Sequence, residues 1–121
     1  MTIRVLAIDD SRTMRDMLRR ALSNAGFEVE LAEDGEAGLA RLEIFLPDVV
    51  VTDLNMPNLN GLQYVEAVRG MPDWHGLPIL ILTTESATEL KAEARRVGAT
   101  GWIVKPFDES KLVNAIRRLA A

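Results

Sequence analysis

This chain of 121 residues lacks several features that would direct it to particular classes of protein. It has no cysteine, which excludes disulfide frameworks, thiolate metal sites and cysteine nucleophiles. Its longest apolar run covers only residues 77–82, whereas a membrane span needs about 20 residues. Eighteen acidic residues against fourteen basic ones give a net charge of −4, so binding to nucleic acid is not expected. The N-terminus does not have the form of a signal peptide, and we expect a cytoplasmic protein.

The composition that remains is that of one ordinary soluble domain. Hydrophobic residues make up 48% of the chain and charged residues 26%, which excludes a disordered chain. Chains usually divide into two domains only well beyond ~200 residues. We therefore expect a single domain over residues 1–121, with no membrane insertion.

Five short apolar runs recur at even spacing along the chain. They cover residues 5–8, 27–31, 49–51, 79–82 and 102–104. The first, third and fourth are apolar throughout, as in strands buried on both faces, whereas the second alternates and indicates an edge strand. Between the runs the apolar spacing becomes helical. Strand–helix alternation repeated five times predicts an α/β fold with a parallel sheet and helices on both faces.

The helical segments carry apolar stripes with spacings of three and four residues. Two of these stripes consist of Leu39, Leu42 and Leu46, and of Ala87, Leu90, Ala94 and Val97. Three glycines stand where helices are predicted to end, and we expect each to adopt a left-handed cap. They are Gly26, Gly70 and Gly98.

Polar residues whose side chains could bind a metal or take part in a reaction follow four of the five predicted strands. They are Asp9 and Asp10, Asp53 and Asn55, Thr83 and Glu85, and Lys105. Functional groups of open parallel sheets gather at the carboxyl ends of strands. Each residue alone has an ordinary interpretation as a turn, helix-cap or surface residue. Three carboxylates together, however, would repel one another in a partly dry cleft unless a cation binds or their pKa values rise.

Oxygen ligands without histidine or cysteine favour Mg²⁺ or Mn²⁺ over zinc or copper. Carboxylate, divalent metal, lysine and hydroxyl are the parts of a phosphoryl-transfer site, where metal and lysine neutralise charge on the phosphoryl oxygens. A carboxylate can itself accept the phosphoryl group. Asp53 is the best candidate, because its strand is predicted to lie between that of Asp9 and Asp10 and that of Thr83.

These residues resemble the receiver domain of two-component response regulators over essentially the whole chain, residues 3–119. The resemblance rests on Ile8-Asp9-Asp10, Asp53-Leu54-Asn55-Met56-Pro57 with Gly61, Leu82-Thr83 and Lys105-Pro106-Phe107. It implies a flavodoxin-like, doubly wound parallel sheet of five strands in the order 2-1-3-4-5, flanked by five helices. It also implies a cis peptide bond between Lys105 and Pro106.

The resemblance implies a metal-dependent phosphoacceptor. Asp53 would accept a phosphoryl group from a histidine kinase. Asp9 and Asp10 would hold Mg²⁺, directly or through water, together with Asp53 and the backbone carbonyl of Asn55. Lys105 would pair with the phosphoryl group. Such a domain is a signalling switch that catalyses its own phosphorylation and dephosphorylation rather than a conventional enzyme.

Within the family, the chain is most similar to the single-domain chemotaxis group, the CheY-like proteins. Thr83 would move to donate a hydrogen bond to the phosphoryl group. Asn55 and Glu85 match the pair found in that group and are expected to tune dephosphorylation. Trp102 replaces the usual tyrosine at a switch position three residues before Lys105, so its inward swing is expected to differ. The implied partners are a CheA-like kinase and a flagellar motor switch protein or a phosphatase, bound by a monomer.

Several alternatives share parts of this pattern. A single-domain receiver can also be a phosphate sink or a phosphorelay intermediate with no motor binding. A haloacid-dehalogenase-type phosphatase needs a second aspartate two residues after its nucleophile, and that position holds Asn55. A flavodoxin-like electron carrier needs an anion-binding loop where this chain has Asp9 and Asp10. A histidine phosphotransfer protein is a helical bundle with an exposed helical histidine, whereas His75 is predicted to be a plain loop residue.

Overall fold

The structure, a computed structural model, describes residues 2–121. Five strands alternate with five helices. In chain order they are β1 (Arg4–Ile8), α1 (Arg12–Asn24), β2 (Glu28–Ala32), α2 (Gly35–Phe45), β3 (Val49–Asp53), α3 (Gly61–Arg69), β4 (Ile79–Thr83), α4 (Thr88–Val97), β5 (Gly101–Val104) and α5 (Glu109–Ala120). A 3₁₀ turn, Pro72–Trp74, precedes β4. No helix within residues 2–121 is both long and apolar enough to cross a bilayer.

The five strands form one parallel sheet in the order β2-β1-β3-β4-β5, which confirms the predicted topology. The central strand β3 lies between β1 and β4. Its register pairs Thr52 with Ile8 of β1 and Asp53 with Leu82 of β4. The strand that ends in Asp53 is therefore flanked by the strands that lead to Asp9 and to Thr83.

Alternating side chains of the sheet build two cores, one on each face. On one face, Leu6 and Ile8 pack with buried residues of α2, α3 and α4. On the other, Val5 and Ala7 pack with buried residues of α1 and α5. Every residue of β3 and of β4 is buried, as predicted for strands covered on both faces. This double cover fixes the carboxyl ends of the central strands, where the polar residues lie.

The helices of the sheet differ in how they begin. Side chains cap four of them: Ser11 caps α1, Asp34 caps α2, Asn60 caps α3 in a reciprocal capping box with Gln63, and Asp108 caps α5. Helix α4 begins after Ala87, which provides no side-chain hydrogen bond. A missing cap costs a helix end about 1 kcal/mol. The start of α4 is thus less firmly held than the other helix starts.

Two of the three predicted glycine caps are confirmed. Gly26 and Gly98 have φ angles of 89° and 100°, in the left-handed region. The prediction for Gly70 is wrong, because its φ is −82° and its N–H donates to Glu66 and Ala67 carbonyls. Gly70 stays in the right-handed region and Met71 is extended before the 3₁₀ turn, so α3 ends without a left-handed residue.

The predicted apolar stripes are wrong at two positions. Leu46 is the left-handed C-cap of α2, with φ of 57°, and 55% of it is exposed. A tertiary contact accompanies this early end, because the Arg4 guanidinium donates to the carbonyl of Phe45 at the last turn. Ala87 is exposed and precedes α4 instead of packing under it.

Candidate functional site

Three carboxylates meet at the carboxyl edge of the sheet. Carboxylate oxygens of Asp9, Asp10 and Asp53 all lie within 4.8 Å of one another. Asp9 is 1% exposed and Asp53 is 7% exposed, whereas Asp10 is open to solvent. The structure therefore brings together the three aspartates that the sequence singled out, two of them in a setting with little water.

Asp9 is held by its own turn and by the neighbouring strand. Its N–H donates to the carbonyl of Ala32 at 3.1 Å, which continues the pairing of β1 with β2. Its Oδ1 accepts the N–H of Ser11 at 2.9 Å. The Arg15 guanidinium donates to its backbone carbonyl at 2.7 Å. These contacts fix both the backbone and the carboxylate of Asp9 beside Asp53.

Lys105 reaches the cluster from the end of β5. Its Nζ lies 2.9 Å from Asp53 Oδ1 and 3.2 Å from Asp9 Oδ2. Its backbone N–H donates to the carbonyl of Thr83 at 2.7 Å, and its peptide bond with Pro106 is cis. One ammonium group thus bridges two buried carboxylates that come from different strands.

Burial and charge act in opposite directions on this cluster. Burial raises the pKa of Asp53, the charges of Asp9 and Asp10 raise it further, and the Lys105 ammonium opposes both. Burial alone would lower the pKa of Lys105, but its hydrogen bond to Asp53 and the charges of Asp9 and Asp53 raise it overall. Lys105 therefore stays charged, and the carboxylates carry an excess of negative charge that favours a cation.

The donor set fits a hard divalent cation. The cluster offers carboxylate oxygens only, which suit Mg²⁺ and not zinc or copper. Asp10 and Asn55 are both exposed, so the cluster opens to solvent on that side. An ion with several retained waters, as Mg²⁺ prefers, has room at such an edge.

A glycine allows the next helix to begin against Asp53. Gly61 N–H donates to the carbonyl of Leu54 at 2.8 Å. A Cβ at this position would lie 2.5 Å from the backbone oxygen of Asp53. Any larger residue would push the start of α3 away from the cluster, so Gly61 belongs to the support of the site.

Thr83, Glu85 and Trp102 form a second group, outside the acidic cluster. Thr83 ends β4 and is 1% exposed, and its Oγ1 accepts the N–H of Glu85 at 3.1 Å. Trp102 Nε1 donates to the carbonyl of Glu85 at 3.2 Å. The indole is half-buried on the α4 side of the sheet. Sequence reasoning missed this hydrogen bond, and no local signal joins residues 17 apart.

Comparison with known proteins identifies similar chains. The family described as the response regulator receiver domain matches residues 5–117. The response regulator MprA of Mycobacterium tuberculosis is 39% identical over 119 residues, which cover 98% of this chain and 51% of MprA. The MprA of Mycolicibacterium vanbaalenii shows the same identity and coverage. The chain thus spans about half the length of the curated relatives it matches.

Solved structures agree with the fold over nearly the full chain. The chemotaxis protein CheY4 of Vibrio cholerae has a TM-score of 0.93 and 44% identity, covering 98% of this chain and 99% of that chain. A putative response regulator from Chloroflexus aurantiacus also has a TM-score of 0.93, with 32% identity, covering 99% of this chain and 98% of that chain.

Proposed function

This chain belongs to the response regulator receiver family, and we propose that it accepts a phosphoryl group on Asp53 from a phosphohistidine of a kinase. The observation that carries the proposal is the contact of Lys105 Nζ with Asp53 Oδ1 at 2.9 Å inside the carboxylate cluster. The Lys105 ammonium beside this buried carboxylate can offset the negative charge of an incoming phosphoryl group. We propose that the receiver domain extends over residues 1–121, and the family match supports nearly all of that range.

The transfer is a displacement at phosphorus. A carboxylate oxygen of Asp53 forms a bond to phosphorus as the bond from phosphorus to the donor's imidazole nitrogen breaks. The electron pair of the broken bond goes to that nitrogen, and the product is an acyl phosphate. The charge of Lys105 offsets negative charge on the phosphoryl oxygens. Such electrostatic stabilisation of the transition state is usually the largest contribution to the rate at sites of this kind.

We propose that Asp9, Asp10, Asp53 and the backbone carbonyl of Asn55 hold Mg²⁺. When bound, the ion would offset the charge of the carboxylates and of the phosphoryl oxygens. The chain's own residues then position the reaction: Ser11 N–H and Arg15 hold Asp9, and Leu54 N–H donates to Asp53 Oδ1 at 3.0 Å.

We propose that phosphorylation is read through Thr83 and Trp102. Phosphorylation adds nearly two negative charges at neutral pH. The Thr83 hydroxyl can donate to the new oxygens while it still accepts the N–H of Glu85. Any shift of Thr83 is passed to Glu85 and, through the Glu85 carbonyl, to the indole of Trp102. Trp102 lacks the hydroxyl of the tyrosine that is usual at this position in the chemotaxis group. Its indole N–H supplies a hydrogen-bond donor instead, and that donor is bonded to the Glu85 carbonyl.

The exposed side chains of Asn55 and Glu85 lie on the loops after β3 and β4. We propose that they flank the approach of the water that hydrolyses the acyl phosphate and so set its lifetime. Replacing each with arginine should change the decay rate several-fold without unfolding the domain. Arginine at exposed Asp73, in the 3₁₀ turn before β4 and not in the loops at the carboxyl ends of the strands, is the control, and equal decay in all three variants would remove this role.

We propose a chemotaxis-type output, with a CheA-like kinase as donor and a flagellar motor switch protein as target. The similarity to the chemotaxis protein CheY4 supports this choice. A phosphate sink or phosphorelay intermediate is the alternative. Binding of the phosphorylated protein to a motor-switch peptide separates the two, because only the first requires it.

Intact mass after incubation with Mg²⁺ and phosphoramidate tests the proposal. The wild type should gain one phosphoryl group that hydroxylamine removes, as expected for an acyl phosphate. Asp53→Asn should gain none, whereas Asp73→Asn should be labelled like the wild type. Labelling that survives Asp53→Asn would place the acceptor at another residue.

A further inference from the structure

A second feature of the carboxyl edge lies next to the acidic cluster, between α1 and α2. It is a pocket of about 260 Å³ at the end of β2. The residues that line it are Arg15, Leu31, Ala32, Glu33, Ala37 and Arg41. Two arginine residues therefore line one concave surface in a chain whose net charge is −4.

Arg15 connects this pocket to the acidic cluster. Its Nη1 donates to the backbone carbonyl of Asp9 at 2.7 Å, which leaves its other N–H donors for a further partner. No ion pair within residues 2–121 includes Arg15. It also lies in a first helical turn that contains no acid, where the helix dipole disfavours a cation. The hydrogen bond to Asp9 accounts for one N–H donor of Arg15, but its charge has no acidic partner within the part of the chain that the structure describes.

Arg41 has only a loose partner. Its Nε lies 3.7 Å from Glu30 Oε2, too far for a hydrogen bond, and has no hydrogen-bond partner among residues 2–121. Its side chain is 39% exposed, so the guanidinium can still adjust. A planar fork of this kind matches a carboxylate or a phosphate with two parallel hydrogen bonds.

The acidic cluster creates a need for such a pocket. With Mg²⁺ bound, the three carboxylates and the Lys105 ammonium would only balance, so the cluster has no surplus positive charge for other anionic groups that accompany an incoming phosphoryl donor. A fixed positive surface beside the cluster would supply that charge and orient the donor.

We infer that Arg15 and Arg41 form an anion-binding pocket, and that its ligand is a carboxylate on the protein that delivers the phosphoryl group. This inference rests on the proposed transfer to Asp53. Glu33, which also lines the pocket, competes with that ligand as a tethered carboxylate of the same chain. Removing Glu33 should therefore strengthen docking, whereas removing Arg41 should weaken it.

Phosphorylation rates with two donors test the inference. One donor is the phosphorylated histidine domain of a chemotaxis-type kinase, and the other is phosphoramidate, which carries no carboxylate. With the protein donor, Arg41→Gln should raise KM about five-fold at low salt, Glu33→Gln should lower it, and added salt should reduce both effects. With phosphoramidate, both variants should match the wild type. Arg95→Gln, on exposed α4, is the control.

The outcomes are separable. If no variant is labelled by either donor, the proposed phosphoryl transfer fails. If all variants are labelled and Arg41→Gln keeps the wild-type KM with the protein donor, the pocket inference is overturned. If Arg41→Gln slows both donors equally, the pocket serves small anions or positions Asp9, and a protein carboxylate is not its ligand. Thermal melts of each variant verify that the fold is retained.

Discussion

The acidic cluster and the loop that follows β4 are held very differently, although Lys105 and Thr83 join them. Asp9 and Asp53 are buried and fixed by backbone and ammonium hydrogen bonds. Residues 84–87 are all exposed, and α4 starts without the side-chain cap that the other four helices have. The cluster is held by several buried contacts, whereas the loop and the start of α4 have fewer contacts to hold them.

In the proposed function, chemistry and response belong to different parts of the domain. Phosphoryl transfer needs groups that are already in position, because their reorganisation would cost rate. A response needs an element of low local stability that a new interaction can shift. The two hydrogen bonds to Glu85, one from its N–H to Thr83 and one from Trp102 to its carbonyl, link the two parts.

The largest expected effect breaks the cluster. Asp10→Asn removes one of the three carboxylates, so Mg²⁺ should no longer stabilise the fold. At a hundred times its Kd, a ligand of the native state stabilises it by about 2.7 kcal/mol. Thermal melts with and without Mg²⁺ should show a clear rise for the wild type and for Asp73→Asn, and almost none for Asp10→Asn. If the melting temperature of the wild type is the same with and without Mg²⁺, the proposed metal site is wrong.

Asp53→Asn should stabilise the metal-free protein at neutral pH by about 1 kcal/mol, the usual size of a single-site effect. Burial raises the pKa of Asp53, so the ionised carboxyl costs stability above that pKa and costs nothing once it is protonated. The gain should therefore shrink as the pH falls. Urea unfolding with EDTA across a pH series measures it, and a gain that grows in acid would contradict the sign.

The backbone architecture could be predicted largely from the sequence. Apolar runs located every strand to within about two residues: the central strands have few polar positions because they are buried on both faces, and the edge strand β2 was found by its alternation. The strand order came from the resemblance and not from the runs themselves. Leu46 was mispredicted, and the contact that accompanies the end of α2, from Arg4 to the carbonyl of Phe45, joins residues far apart in the sequence.

The site was predicted in part. Asp9, Asp10, Asp53 and Lys105 do meet, since strand ends of a parallel sheet share an edge. Their roles, and those of Thr83, Glu85, Asn55 and Trp102, stay predictions. So do the monomeric state, the cytoplasmic location and the absence of nucleic-acid binding. The contact of Trp102 with Glu85 could not be predicted, because it depends on how the loop after β4 folds over β5.

An effect of about the same size as that of Asp53→Asn should follow from giving α4 a side-chain cap like those of the other helices. Ala87→Asp supplies the missing cap and should raise stability by about 1 kcal/mol. It should also slow amide exchange in residues 84–88. Asp108→Ala is the reverse experiment at α5 and should lower stability by a similar amount. Equal amide exchange in wild type and Ala87→Asp would show that the missing cap does not lower the local stability of this loop.

The most local expected effect concerns a single hydrogen bond. Trp102→Phe removes the donor to the Glu85 carbonyl and should speed amide exchange in residues 84–88 by an amount equivalent to about 1 kcal/mol. Trp74→Phe is a matched control, because it also loses an indole hydrogen bond, to Glu43. It should leave those amides unchanged. If both variants behave alike there, Trp102 does not hold the loop.

The separation of chemistry from response can be tested by measuring both on the same pair of variants. In a Trp74→Phe background, Trp102 is the only tryptophan, and Thr83→Ala removes the hydroxyl between the cluster and the loop. Phosphoramidate labelling, measured by mass, should be the same with and without Thr83→Ala. The change in Trp102 emission on phosphorylation should occur when Thr83 is present and vanish in Thr83→Ala. An emission change that persists at full labelling without the Thr83 hydroxyl would contradict the account.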